Sequence, residues 1–196
     1  GTEEGFGCDC PKEEKLRAFR EAVIDLMDAA DFLLKNKEKF RIDPNKIIIG
    51  GRSAGAETIL LKAYMMDLLF PGEDAYQDVH FSAVISLAGA VVDARYISQE
   101  NAVPAVFFHG TDDDLVPYAT APHHYCEAGK AGYLWLDGSQ TLAAKLSTFD
   151  QSYLFYTFHG AKHEIAEIPF EHQNLIFDFL NEVVILKKKR VVILEE

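Results

Sequence analysis

The sequence predicts an α/β protein: a mostly parallel sheet with helices on both faces. Three observations carry the prediction. Short β-branched or aromatic runs alternate with longer segments of helical periodicity. The first of these runs breaks into Gly51-Arg52-Ser53-Ala54-Gly55 and then into a helix-forming stretch. The later runs end in groups with chemistry, His109-Gly110-Thr111-Asp112-Asp113 and His159-Gly160-Ala161-Lys162-His163. Strands that alternate with helices build a parallel sheet, and right-handed crossovers bring the loops after the strands to one edge.

In order along the chain, residues 1–10 are polar and glycine-containing and read as a loop. Pro11 with Glu13 and Glu14 reads as a helix start, with proline in the first turn and acids at the positive end of the dipole. Leu16, Phe19, Val23, Leu26, Met27, Ala30, Leu33 and Leu34 recur at helical spacing and give one face to pack on a sheet. This helix is expected to end near Phe40, with Asp43-Pro44-Asn45 turning the chain into the strand Ile47–Ile49. Ala54–Leu69 is the next helix, and Pro71–Asp74 a loop. Ala83–Leu87, Ala105–Phe108 and Tyr153–Phe158 are the following strands. Two helices are expected between the last two of these, near Pro122–Ala128 and over Ser139–Thr148, the second capped at Gly138 or Ser139. Pro169 opens a final helix with Leu175, Phe179, Leu180 and Val183 on one face. Lys187–Arg190 suits the negative end of that helix as a solvated basic run, and Val191–Leu194 reads as a last edge strand.

Composition bounds the function. A chain of 196 residues is one domain by size, spanning 1–196. A formal net charge of −12 argues against nucleic acid or an anionic membrane as the main partner. No apolar run reaches the roughly 20 residues of a membrane span, no signal-peptide pattern opens the chain, and the compartment stays open. Cys8, Cys10 and Cys126 permit one bridge, from Cys8 or from Cys10 to Cys126. Cys8-x-Cys10 lacks the second half of a metal site, so no metal is expected.

The chemistry starts at Ser53. Strand, Gly-x-Ser-x-Gly and helix is the arrangement of a nucleophile elbow. Gly51 and Gly55 are expected where the tight turn leaves no room for Cβ atoms. The turn pushes the Ser53 hydroxyl above the strand end. The following helix aims its N-terminal amides at negative charge forming there, with the Ala54 N–H as first oxyanion donor. A serine hydroxyl is a poor nucleophile until a base takes its proton, and the base works best when a carboxylate fixes its tautomer. Serine, acid and histidine follow in that order, at the ends of successive strands.

Those motifs carry a resemblance. Ile42-Asp43-Pro44, Gly51–Gly55, His109-Gly110-x-x-Asp113-x-x-Val116-Pro117 and Gly160-x-x-His163-Glu164 resemble the C-terminal two-thirds of an α/β-hydrolase of the carboxylesterase/lipase type. By position, Ser53 resembles the nucleophile, Asp113 the orienting acid and His163 the general base. Asp112 and Asp114 then read as solvated loop acids, and His109 and His159 as structural. His123 and His124 take a surface or packing role. Arg52 is suited either to a substrate carboxylate or to a backbone carbonyl. The implied function is a serine esterase acting on a small ester without a cofactor. A prolyl-oligopeptidase-like peptidase and a catalytically impaired domain serving in binding or assembly are the alternatives.

Hydrolases of this type carry about four strands before the long helix, and a His-Gly-rich loop that completes the oxyanion hole. Nothing before Pro11 supplies these, so a truncated α/β-hydrolase fold is expected. Its sheet edge would lie exposed along Ile47–Ile49. Such an edge is a template for association. A homodimer would cover it, or the chain's own N-terminal or C-terminal segment, with Val191–Leu194 as the first candidate.

Overall fold

A computed structural model describes residues 5–71, 79–167 and 170–196. Helix α1 (Lys12–Lys35) starts at Pro11, with Glu13 and Glu14 in its first turn. It buries Lys15, Phe19, Val23, Met27 and Ala30, a stripe at spacings of four and three. The chain breaks at Asn36, and α2 (Lys37–Phe40) is a single turn closed by Arg41 in the left-handed conformation. Asp43 accepts from the Asn45 N–H at 3.0 Å and turns the chain into β1 (Ile48–Arg52).

Helix α3 (Ala54–Tyr64) and the one-turn α4 (Met66–Leu69) follow, then β2 (Ala83–Leu87) and the two-residue β3 (Ala90–Val91). Next come β4 (Ala105–Gly110), β5 (Thr120–Pro122), β6 (Trp135–Gly138), α5 (Ser139–Thr148) and β7 (Tyr153–Phe158). Helix α6 (Gln173–Leu180) continues into a π turn, Asn181–Ile185, and β8 (Val191–Glu195) ends the chain. The expected helix start at Pro169 and the loop residues Gly72–Asp74 lie outside the described residues.

Strands β1, β2, β4, β7 and β8 form a five-stranded sheet in that order, and every pairing is parallel. Alternate residues of β4 feed different layers. Ala105 and Phe107 pack with α1, α3 and α5, whereas Val106 and Phe108 pack against Ile176, Phe179 and Leu180 of α6. Burial on both faces explains why the strands read as continuous apolar runs.

Two expectations are corrected and one element is added. Val191–Leu194 does form an edge strand, but β8 pairs with β7 at the edge opposite β1 and so does not cover Ile47–Ile49. Strand β1 keeps the other edge, with β2 as its partner. No helix forms over Pro122–Ala128; a 3-10 turn at His123–Tyr125 stands there, with His124 and Tyr125 at positive φ. A second, antiparallel sheet of β3, β6 and β5 went unread in the sequence, because strands of two to four residues give periodicity too little length. Pro122 sits in β5 at its edge, where a missing N–H costs no ladder bond.

Cys8 is bonded to Cys126, while Cys10 is free and buried. The bridge ties the segment before α1 to the turn after β5. The Gly132 N–H donates to the Cys8 carbonyl at 2.8 Å, and the Lys12 N–H to that of Ala131 at 2.9 Å, beside the bridge.

Candidate active site

Strand β1 delivers Ser53 through a constrained turn. The Ser53 N–H still donates to the Leu87 carbonyl at 2.9 Å, extending the ladder to β2. The next helix begins at once, its Glu57 N–H donating to the Ser53 carbonyl at 3.0 Å. Ser53 takes φ 49° and ψ −125°, a conformation that costs an L-residue energy and that surrounding structure must hold.

The two flanking glycines differ. A Cβ on Gly51 would overlap the Gly55 carbonyl and the Ala56 nitrogen, so the turn closes only without a side chain there. A Cβ on Gly55 would meet nothing within 4 Å, which corrects the expectation that both positions exclude one. Gly51→Ala should therefore cost more than about 2 kcal/mol by overpacking. Gly55→Ala should leave stability unchanged or raise it by up to about 1 kcal/mol through helix propensity. Denaturant midpoints of the two variants check this; equal losses would mean that the turn does not set the requirement.

Strands β4 and β7 feed the same edge. Their loops are fastened together, the Asp112 N–H donating to the Ala161 carbonyl at 3.0 Å and the Gly160 N–H to Thr111 Oγ1 at 2.9 Å. Gly110 allows this approach, since a Cβ there would overlap the Ala161 carbonyl.

The structure brings Ser53, His163 and Asp113 into one hydrogen-bonded row. His163 Nε2 lies 2.8 Å from Ser53 Oγ, and His163 Nδ1 lies 2.8 Å from Asp113 Oδ2. A carboxylate can only accept, so Nδ1 carries the proton and Nε2 presents its lone pair to the Ser53 hydroxyl, which donates. Asp113 is buried, and its Oδ1 accepts from the Leu115 and Val116 N–H groups, each at 2.9 Å. His109 Nε2 faces both Asp113 Oδ2 at 3.2 Å and the Val116 carbonyl at 3.1 Å. Two acceptors there require Nε2–H, which leaves His109 Nδ1 to accept from Ser139 Oγ at 2.8 Å.

The electrostatics follow this geometry. Burial alone would raise the proton affinity of Asp113, but the hydrogen bonds from His109, His163 and two backbone amides outweigh it and hold the carboxyl below its ordinary 3.8. The bond to Asp113 raises the pKa of His163 above its ordinary 6.5, although burial pulls the other way.

The remaining sequence candidates sort by contact. Asp112 accepts from Thr111 Oγ1 at 3.0 Å, and exposed Asp114 pairs with Lys162 at 3.0 Å. His159 is exposed and pairs with Glu195 at 3.3 Å. Arg52 is exposed and borders a groove with Ile85, Leu87, Ile176 and Phe177. His124 is partly buried, while His123 is 1% exposed and therefore has no surface role. The Ala54 N–H stands at the start of α3, at an exposed residue.

Two residues beside this row were missed. Glu57 is 1% exposed and Lys15 is fully buried. Both could have been found by register. Lys15 lies four residues before Phe19 on the buried stripe of α1, and Glu57 falls on the stripe of Leu60, Leu61 and Tyr64.

Comparison with known proteins bears on the fold. A solved structure of the esterase Est2 from Thermogutta terrifontis matches with a TM-score of 0.57 and 19% identity over 82% of this chain. The fold is α/β-hydrolase-like. The chain spans 63% of the length of that esterase. A puromycin-hydrolyzing peptidase from Mycobacterium tuberculosis matches with a TM-score of 0.48 and 18% identity, over 87% of this chain and 27% of the peptidase. The model of the BD-FAE family matches residues 13–93, a span that carries Ser53 but neither Asp113 nor His163. No curated protein matches. Among the described residues, no helix is long and apolar enough to cross a membrane.

Proposed function

We propose that the chain carries the catalytic centre of a serine hydrolase acting on carboxylic esters, with Ser53 as nucleophile, His163 as general base and Asp113 as orienting acid. The observation that carries this reading is the row itself: Ser53 Oγ and Asp113 Oδ2 each lie 2.8 Å from a different ring nitrogen of His163. The esterase likeness and the BD-FAE match favour ester over amide as the substrate class.

In this mechanism Ser53 Oγ attacks the ester carbonyl carbon while His163 Nε2 takes its proton. Asp113 accepts from Nδ1–H, fixes that tautomer and stabilises the imidazolium as it forms. The carbonyl oxygen becomes an oxyanion facing the Ala54 N–H and the positive end of α3. Collapse expels the alcohol, which receives the proton from His163. Water, deprotonated by the same imidazole, then attacks the acyl carbon; collapse breaks its bond to Ser53 Oγ, which takes the proton back from His163 as the acid leaves.

A fluorophosphonate probe tests the nucleophile without assuming a substrate. We expect a single adduct, mapped by peptide mass spectrometry to Ser53 and abolished by Ser53→Ala. Labelling at another serine, or none, would overturn the assignment. The same sample assayed on p-nitrophenyl acetate and a p-nitroanilide should hydrolyse the ester faster; the reverse preference would point to a peptidase.

A further inference from the structure

One helical turn beyond Ser53 starts a row of buried charged and titratable groups that the mechanism above does not use. Glu57 sits one helical turn after Ser53, and its Oε1 has no hydrogen-bond partner among the described residues. That oxygen lies 3.5 Å from His123 Nε2. On the far side of the ring, Lys15 Nζ lies 3.5 Å from Nδ1 and donates to the Gly132 carbonyl at 3.0 Å. An ammonium group has no lone pair to offer, so Nδ1 must be the unprotonated nitrogen and Nε2–H points at Glu57. Burial, with the neighbouring charges of His124 and Lys15, pushes the pKa of His123 down to about 3 and keeps the ring neutral. Lys15 and Glu57 thus stand at the two ends of an uncharged imidazole.

Three distant parts of the chain converge to make this arrangement. Lys15 comes from α1, Glu57 from α3, and His123 from the turn that the Cys8–Cys126 bridge ties down. Phe6 packs edge-on against His123 at 5.5 Å and against Phe19 at 5.3 Å, closing the row from that side. A buried lysine and glutamate are a poor way to gain stability, because apolar residues of the same volume usually serve as well or better. Their place beside a serine–histidine pair asks for another reason.

We propose that Glu57 is a positioning residue for His163: its carboxylate, held through His123 by Lys15, backs the positive charge that the imidazole takes up during catalysis. The proposal rests on His163 being the general base. The groups whose charge or ring bears on Glu57 are Lys15 from α1, His123 from the turn after β5, Asp113 from the loop after β4 and His163 from the loop after β7. Burial pushes the Glu57 carboxyl up to about 8, while His163 and Lys15 favour its ionised form and Asp113 opposes it. Reciprocally, ionised Glu57 raises the proton affinity of His163. The two groups therefore titrate as a coupled pair.

The test is the titration of the His163 Cε1–H resonance, which needs no substrate and is informative even if Ser53 proves not to be the nucleophile. Wild type should give a two-step curve with its upper step near pH 8. Glu57→Gln should give a single step, moved to lower pH as expected for loss of a nearby opposite charge. In the pH profile of kcat/KM for an ester, the rise near pH 8 should vanish in the same variant. Lys15→Met should move the upper step to higher pH, because the anion loses its cation. A one-step curve in wild type, or superimposable curves for wild type and Glu57→Gln, would overturn the proposal. Were the variant not to fold, the wild-type curve and Lys15→Met would still decide it. Probe labelling of Ser53 without the second step would sink this inference alone; the second step without labelling would sink the proposed function alone.

Discussion

Ser53→Ala and His163→Ala are each expected to leave less than about one thousandth of wild-type ester hydrolysis, since in the proposed mechanism nucleophile and base act as a unit. The double variant should be no worse than either single one. Once the proton has nowhere to go, removing the hydroxyl costs nothing further. The residual rate should come from binding and from the Ala54 N–H at the start of α3. Folding should change little. The Ser53→Ala substitution keeps the Cβ, so the constrained φ of 49° is unaltered, and only the bond to His163 is lost. The measurement is kcat/KM on a p-nitrophenyl ester beside a thermal melt. Losses that multiply in the double variant would mean that the two side chains work independently, contrary to the 2.8 Å contact between them.

Much of this site was legible because each of its three members sits in a local frame with its own sequence signature. Gly51 before Ser53 and the helix-forming run after it mark the tight turn that carries Ser53 without any knowledge of the sheet. Asp113 could be told from Asp112 and Asp114 by its offset from His109-Gly110 and Val116-Pro117. The structure supplies the physical content of that spacing. His109 and the Val116 carbonyl and N–H together frame the Asp113 carboxylate, whereas its two neighbours face solvent partners.

The parallel sheet was readable for a similar reason, since its strands are long enough to show buried apolar runs. The second sheet was not. Two residues in β3 and three in β5 form only because β6 pairs with both, and pairing is a property of three separated segments. The row of Lys15, His123 and Glu57 was hidden differently. Register places Lys15 and Glu57 on the buried stripes of α1 and α3, but only the fold brings His123 from the turn after β5 between them. Gly55 shows the opposite failure. The motif suggested a steric need at both glycines, yet the close approach runs from Gly51 to the backbone of residue 55, and Gly55 itself has room.

Asp113→Asn should lower kcat by about 10⁴-fold, because the amide reverses the hydrogen-bond logic of the row. Its carbonyl oxygen can still accept from Leu115 and Val116, which turns the NH₂ toward His163 Nδ1 and His109 Nε2. Facing a donor, His163 must switch its proton to Nε2, and it then has no lone pair for the Ser53 hydroxyl. The NH₂ also meets the buried N–H of His109, so the variant should lose about 1–3 kcal/mol of stability at neutral pH. The pH dependence fixes the sign. Asp113 is held below its ordinary 3.8 in the folded protein, so it contributes stability that is fully present above about pH 4 and is lost as the pH falls below that. The gap in denaturant midpoint between wild type and Asp113→Asn should therefore be large at pH 7 and shrink at pH 3. The ionisation governing residual activity should also move to lower pH, since Asp113 no longer raises the pKa of His163. Asp112→Asn and Asp114→Asn should stay within about twofold of wild type in rate, as their partners are the half-buried Thr111 and the exposed Lys162 rather than His163. If either of those abolished turnover while Asp113→Asn did not, a different carboxylate would be serving His163.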